Sequence, residues 1–198
     1  VLVVDLPYLS QQCAPEVHQD TMRRIVQVES AFNPWAIGVV GGRLERQPSN
    51  REEAIATAEW LERNGYNYSV GLAQVNKTNF ARYGLTPQTA FEACPNLHAG
   101  GEILKDCFIR ANKTRGDEQA ALRDAFSCYY SGNFITGYKQ GYVLKVVTSG
   151  AAMVTAQASS ASSKKKNNVV AYRAGNTPTA AREYAPSLAA ASSSALLF

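Results

Sequence analysis

Glu29 lies within VQVESAFNPWAIG, residues 26–38, where an apolar helical run meets Asn33-Pro34. Met22 and Ile25 stand seven and four residues before it, a spacing that puts all three side chains on one helix face. A carboxyl group on an apolar face is expected to be partly buried, and burial penalises its charged form. The negative end of the helix dipole pushes in the same direction. A carboxyl that keeps its proton near neutral pH is what a general acid requires. The plainer alternative is an acid at a helix end that pairs with Arg23 or Arg24.

Two further stretches carry side chains suited to one kind of ligand. VGLAQVN, residues 70–76, sets Gly71 beside the amides Gln74 and Asn76. CYYSGNF, residues 128–134, combines Tyr129, Tyr130 and Asn133. Amides match hydroxyl and N-acetyl groups, and aromatic rings cover the apolar faces of sugars. Taken singly, each stretch also reads as a turn glycine with capping amides, or as a tyrosine pair at a core edge.

These residues need elements to position them. A first helix is predicted from Pro15 to about Ser30, with Pro15 in its opening turn. Pro34 stops it, because Asn33 is pushed out of the helical region. Apolar residues around Gly41-Gly42 predict a β-hairpin there. Ser49 and Glu52 predict a capping box at the start of a helix that ends near Arg63, with Gly65 beyond. YNYSVGLAQVN is expected to be mostly irregular. Short helices are predicted over 77–83 and 87–93, longer ones over 96–112 and 117–129, and a last one within GYKQGYVLKVVTSG.

The fold class expected is mainly α, with one small β-hairpin. Residues 1–11 are expected to be a lead-in, 12–150 the domain, and 151–198 an Ala/Ser-rich basic tail that buries too little to order itself. An Ala-rich helix is the alternative for that tail. Hydrophobic residues make up 45% of the 198, enough for a core. The formal charge of +4 is carried by the tail, where five basic residues meet Glu183 alone. Residues 1–154 hold 15 basic and 15 acidic side chains, so the basic balance gives no reason to expect a nucleic-acid partner. No apolar run approaches the ~20 residues that span a bilayer, which predicts a soluble chain. VLVV is too short for the apolar core of a secretory leader, and Asp5 interrupts it, so no leader is read there; the sequence also starts without Met, so a mature form or a fragment is expected.

The cysteines, Cys13, Cys94, Cys107 and Cys128, form no CxxC pair, and only His18 and His98 could assist them. No metal site is expected. Two disulfides or four buried thiols remain as readings. A helix over 96–112 would hold Cys94 and Cys107 apart by more than ten residues at about 1.5 Å each, too far to bond. That leaves Cys13–Cys94 with Cys107–Cys128, or Cys13–Cys107 with Cys94–Cys128. The first is favoured, because Cys107 and Cys128 fall on successive helices joined by a turn.

In order, Glu29-Ser30, Asn33-Pro34, Gly71-Leu72-Ala73-Gln74-Val75 and Cys128-Tyr129-Tyr130-Ser131-Gly132 resemble the motifs of the soluble lytic transglycosylase family. The likeness is greatest to its VirB1-like branch, which accompanies type IV secretion systems, and covers roughly residues 12–145. It implies a goose-type lysozyme-like fold. It also implies cleavage, without a cofactor, of the β-1,4 bond between N-acetylmuramic acid and N-acetylglucosamine in peptidoglycan, leaving a 1,6-anhydro end. By the same resemblance, Glu29 matches the catalytic acid/base and Gln74 a residue that holds the glycan. Tyr129 matches a tyrosine whose hydroxyl lies near that acid, and Gly71 a backbone position close to substrate. Expected partners are glycan strands and type IV secretion components, and the expected location is the periplasm or cell envelope. Departures from the motifs are Ala73 for Met, Tyr130 for Asn, and Gly38 where many relatives have Ser. A hydrolytic lysozyme and a non-catalytic peptidoglycan-binding assembly subunit are the rival readings. A lysozyme's second carboxylate would come from Glu45, Glu52 or Glu53, of which the last two suit a helix's first turn.

Overall fold

A computed structural model describes residues 5–150. Within them the chain forms seven α-helices and a small antiparallel sheet. The expectation for the Ala/Ser-rich tail lies outside the described residues. Among those residues, no helix is long and apolar enough to cross a membrane.

The supposed lead-in contains a helix, α1 (Leu6–Cys13), started by Pro7 and capped by the Asp5 carboxylate. It buries Leu6, Ser10 and Cys13. The next helix, α2 (Gln19–Ser30), begins four residues later than the Pro15 signal suggested. Pro15 sits in a turn, and the His18 imidazole Nδ1 accepts from Asp20 N–H as the cap. Met22, Ile25 and Val26 of α2 are wholly buried. The exit from α2 is abrupt: Ala31 and Phe32 both take left-handed backbone, with φ of 49° and 64°. Such conformations are costly for non-glycine residues and are held only by their surroundings. Here Asn33 Oδ1 accepts from Trp35 N–H and secures the turn that follows.

No hairpin forms across Gly41-Gly42. Strand β1 (Ile37–Val39) pairs instead with β2 (Tyr68–Val70), with Ile37 opposite Val70 and Val39 opposite Tyr68. Between them lies α3 (Arg51–Arg63). The apolar pattern around Gly41-Gly42 misled because Val40 faces solvent, 60% exposed, while Leu44 turns into the core. The true hairpin joins β2 to β3 (Val75–Asn76), inside the stretch expected to be irregular. The capping box of α3 is shifted by one residue. Asn50 caps Glu53 N–H, and the Glu53 carboxylate accepts from Ser49 N–H and Oγ–H.

Three short 3-10 turns, Lys77–Asn79, Ala81–Tyr83 and Thr89–Phe91, lead into α4 (Ala93–Arg115). Gly116 turns the chain into α5 (Glu118–Ser131), which packs along α4. Two short helices, α6 (Thr136–Lys139) and α7 (Tyr142–Thr148), close the domain against α5 and α2. Leu97 and Leu104 of α4, Leu122 and Phe126 of α5, and Val146 of α7 join the α2 residues and Tyr68 in one core. Glycine at position 100 lets that core close: a Cβ there would lie 2.6 Å from the Ala73 Cβ and 3.1 Å from the Tyr129 hydroxyl.

Both disulfides form in the favoured pairing. Cys13–Cys94 ties α1 to the first turn of α4, and Cys107–Cys128 ties α4 to α5, with Cα separations of 5.1 and 5.8 Å.

Candidate active site

The last turn of α2 delivers Glu29 to a long cleft of about 1290 Å³. Its walls are the β1 strand and the loop after it, the β2–β3 region, one face of α4 and the end of α5. The volume exceeds that of an ordinary small-molecule pocket and suits an extended chain.

The arginines expected as partners for Glu29 are engaged elsewhere. Arg23 Nη2 lies 3.0 Å from Asp20 Oδ1, and Arg24 Nε lies 2.7 Å from Asp20 Oδ2. Glu29 instead accepts a hydrogen bond at Oε1 from the Tyr142 hydroxyl of α7. Burial dominates its titration and raises its pKa from the usual 4.5 to about 7, although the Tyr142 bond and the charge of Lys145 pull it down. Burial and the neighbouring Glu29 charge push the phenols of Tyr129 and Tyr142 well above the usual tyrosine range. Tyr142 therefore stays protonated and remains a donor. Because Oε1 receives that bond, the acidic proton of Glu29 belongs on Oε2, which no described residue occupies.

Gln74 takes left-handed backbone, φ 46°, at the tip of the β2–β3 hairpin. Its Nε2 donates to the carbonyls of Ala36 and Gly71, 3.0 Å each, which pins β1 to the hairpin. Its Oε1 is left facing Gly38, where an added Cβ would lie only 2.8 Å away. The glycine at position 38 thus makes room for the Gln74 amide in the cleft wall, where a serine would crowd it.

Asn76 also lines the cleft, but its side chain is committed to Ser69 Oγ and to the N–H and hydroxyl of Thr78. The Tyr129 hydroxyl donates to the Ala73 carbonyl at 2.5 Å, so it braces the hairpin tip while its ring lines the cleft. Tyr130 is 46% exposed and stacks on Tyr142, with ring centroids 4.7 Å apart. Tyr130 thereby holds the phenol that bonds Glu29 and offers its own outer face to the cleft.

Two of the expected residues stand back from the surface of the cleft. Gly71, φ 79°, packs beneath it, where a Cβ would lie 2.3 Å from Asn96 Nδ2. Asn133 caps the turn into α6 by accepting from Ile135 N–H and Thr136 N–H.

Two residues that sequence reasoning passed over organise the site. Tyr142 gave no signal because it lies 113 residues from Glu29 in the chain. Asn96, 1% exposed, accepts from Ala73 N–H and donates to the carbonyls of Val70 and Ala90 at 2.7–2.9 Å. A polar residue on the apolar side of a helix was the signal available for Asn96.

Carboxylates proposed as a second catalytic group are absent from the cleft lining. Glu53 is paired with Arg46 and bonded to Ser49, and Glu45 and Glu52 are exposed elsewhere. Asp106 does line the cleft, ion-paired with both Arg82 and Arg110.

The transglycosylase SLT domain family matches residues 8–185. The chain is 58% identical over 147 residues to the type IV secretion system protein virB1 of Brucella abortus, covering 71% of this chain and 62% of that protein. It is 37% identical over 154 residues to protein virB1 of Rhizobium radiobacter, covering 77% of this chain and 63% of that protein. The chain thus spans somewhat under two thirds of the length of these relatives. No solved structure matches it. The family match takes in the acid of α2, the β2–β3 hairpin and the tyrosines of α5, and the chain belongs to the transglycosylase SLT domain family.

Proposed function

We propose that this protein is a peptidoglycan lytic transglycosylase that opens the cell wall locally for a type IV secretion system. The observation that carries the chemistry is Glu29, a carboxyl held near pKa 7 at the floor of a cleft whose one other carboxylate, among the described residues, is ion-paired. Glu29 Oε2–H protonates the glycosidic oxygen as the bond to the muramoyl C1 breaks. The resulting carboxylate, stabilised by the Tyr142 hydroxyl, then takes the proton from the muramoyl C6 hydroxyl. That oxygen closes on C1 to form the 1,6-anhydro ring, so no water is consumed and Glu29 regains its proton. Most glycosidases that activate water or form a covalent intermediate place two carboxyl groups across the bond. The absence of a free second carboxylate in the described cleft supports the intramolecular route. Gln74 Oε1 is suited to accept from a substrate N–H or hydroxyl, and the exposed face of Tyr130 is suited to cover a sugar ring.

The secretion role rests on the likeness to the virB1 proteins. Two disulfides fit an oxidising compartment, which supports the periplasm or envelope. Mass analysis of digested peptidoglycan tests the reading. Products should carry anhydro ends and be lighter by one water than a lysozyme's. Glu29→Gln should fold and bind glycan while its rate drops by at least ~100-fold. Reducing ends as the main product would make this a hydrolase, and an active Glu29→Gln protein would remove the assignment.

A further inference from the structure

Charge in this domain is balanced, with 15 basic and 15 acidic side chains among residues 1–154, yet the cleft is not neutral. Its acidic and basic lining is Arg43, Arg82 and Arg110 against Asp106 and Glu29. With Glu29 protonated, three guanidinium groups face one carboxylate, an excess of two positive charges.

Two of these arginines form a prepared cluster. Asp106 lies 3.2 Å from Arg110 Nε and 3.8 Å from Arg82 Nη2, so one carboxylate serves two cations. Arg110 Nη2 also points at the Cys107–Cys128 disulfide, 3.0 Å from Cys128 Sγ and 3.4 Å from Cys107 Sγ. Its guanidinium lies 5.9 Å from the Phe134 ring centroid, and that of Arg82 lies 5.4 Å from the Tyr83 centroid. These contacts orient the Arg110 fork and hold Arg82 beside it, while the Nη1 edge of Arg110 carries no hydrogen bond among the described residues. The two side chains remain 61% and 47% exposed. An oriented, accessible guanidinium is the usual partner for a carboxylate.

The position of the cluster follows from α4. Ile103, Asp106, Cys107 and Arg110 line the cleft at helical spacing. The same helix passes under the Tyr129 hydroxyl at Gly100. Ten residues separate Gly100 from Arg110, so the cluster lies ~15 Å along the helix from the reacting end.

We infer that Arg82 and Arg110 form a subsite for a carboxylate carried by the glycan strand, a few sugars from the bond that breaks. This inference rests on the peptidoglycan reading above and extends it to substrate choice. The glycan core is neutral, and its carboxylates hang from the muramoyl lactyl group, either free or continued as a stem peptide. The subsite favours strands that bear them over chitin-like polymers, which have none.

The test uses the full chain in the Glu29→Gln background and three hexasaccharides. One is a peptidoglycan fragment with stem peptides, one is the same fragment stripped to free lactyl carboxylates, and one is neutral chitohexaose. In the Arg82→Gln/Arg110→Gln variant, Kd for a carboxylate-bearing fragment should rise about tenfold, the worth of one charge-assisted hydrogen bond. Kd for chitohexaose should hold, and the difference between ligands should shrink as salt rises. Weakening of the peptide-bearing fragment alone assigns the stem-peptide carboxylates, weakening of the stripped fragment alone assigns the lactyl carboxylate, and weakening of both shows that the subsite takes either carboxylate. Equal loss for all three ligands, or loss for none, overturns the inference. Arg82→Gln alone, which makes no contact with the disulfide, is the second variant. It should weaken the carboxylate-bearing fragment severalfold, and an unchanged Kd there also overturns the inference. Product analysis of the wild-type protein is read separately, so failure of the cleavage reading and failure of this subsite are distinguishable.

Discussion

At the scale of single residues, Glu29 trades stability for chemistry. Its pKa near 7 means that the acid form needed for protonation is lost as pH rises through about 7. The cleavage rate should therefore have a falling limb centred there, seen in a pH–rate profile. The Tyr142 hydrogen bond favours the carboxylate, so Tyr142→Phe should move that limb to higher pH and also lower the maximal rate, since the second step loses a donor. A limb that moves down, or stays fixed, would mean that the phenol does not act on Glu29. Folding carries the same signature. A carboxyl whose folded pKa exceeds its ordinary 4.5 contributes stability that is full below 4.5 and lost as pH rises through about 7. The gap between those values caps the loss at ~3 kcal/mol. Glu29→Gln removes the titration, so the variant should gain on the wild type between pH 5 and pH 8 in urea unfolding.

At the scale of elements, the site depends on two ties that bring distant segments to Glu29. Arg24, 6% exposed, holds Asp20 on α2 and donates from Nη1 to the Val147 carbonyl of α7 at 2.7 Å. Glu29 and Tyr142 sit on those two helices, so the bridge sets the distance between them. Arg24→Gln should cost ~1–3 kcal/mol, as expected for a buried charged hydrogen bond. It should also shift the pH limb in the direction of Tyr142→Phe, a readout that simple loss of stability would not produce. Asn96 is the second tie, between α4 and the hairpin that carries Gln74. Asn96→Ala removes the side-chain partner of one N–H and two carbonyls, at ~2–4 kcal/mol. Chemical denaturation should register that loss, and the rate should fall in the variant even where it remains folded.

At the scale of the whole molecule, the two disulfides brace different loops. Cys13–Cys94 spans 81 positions and attaches α1 to the domain, whereas Cys107–Cys128 spans 21 within the α4–α5 pair. Loop-closure entropy assigns ~4.5 kcal/mol to the first and ~3.4 kcal/mol to the second. The Cys13→Ser/Cys94→Ser protein should consequently melt below the Cys107→Ser/Cys128→Ser protein. The second pair should have the larger effect on glycan binding, because that disulfide lines the cleft and supports Arg110. If both variants bound glycan equally well, the disulfide would be a brace and nothing more.

Local chemistry singled out Glu29, Gln74, Tyr129 and Tyr130 as candidates, and the fold brings all four to one cleft. Helical spacing placed Glu29 among Met22 and Ile25, and Pro34 marked where α2 had to stop, because those constraints act within a few residues. The disulfide pairing was partly legible for a related reason: a rigid helix forbids Cys94 from reaching Cys107, which left two pairings, and the turn between successive helices favoured the one that forms. Side-chain partnership was not legible. Nothing within the 26–38 stretch shows that Asp20 takes both arginines, or that Tyr142 arrives from α7 to bond Glu29. The hairpin was misplaced for the same reason, since β1 finds its partner across the whole of α3 rather than across a glycine pair. Periodicity and turn signals act over a few residues of chain. Burial, pairing and the pKa of a carboxyl depend on which segments are brought together in space, and that is decided by the packing of the complete domain.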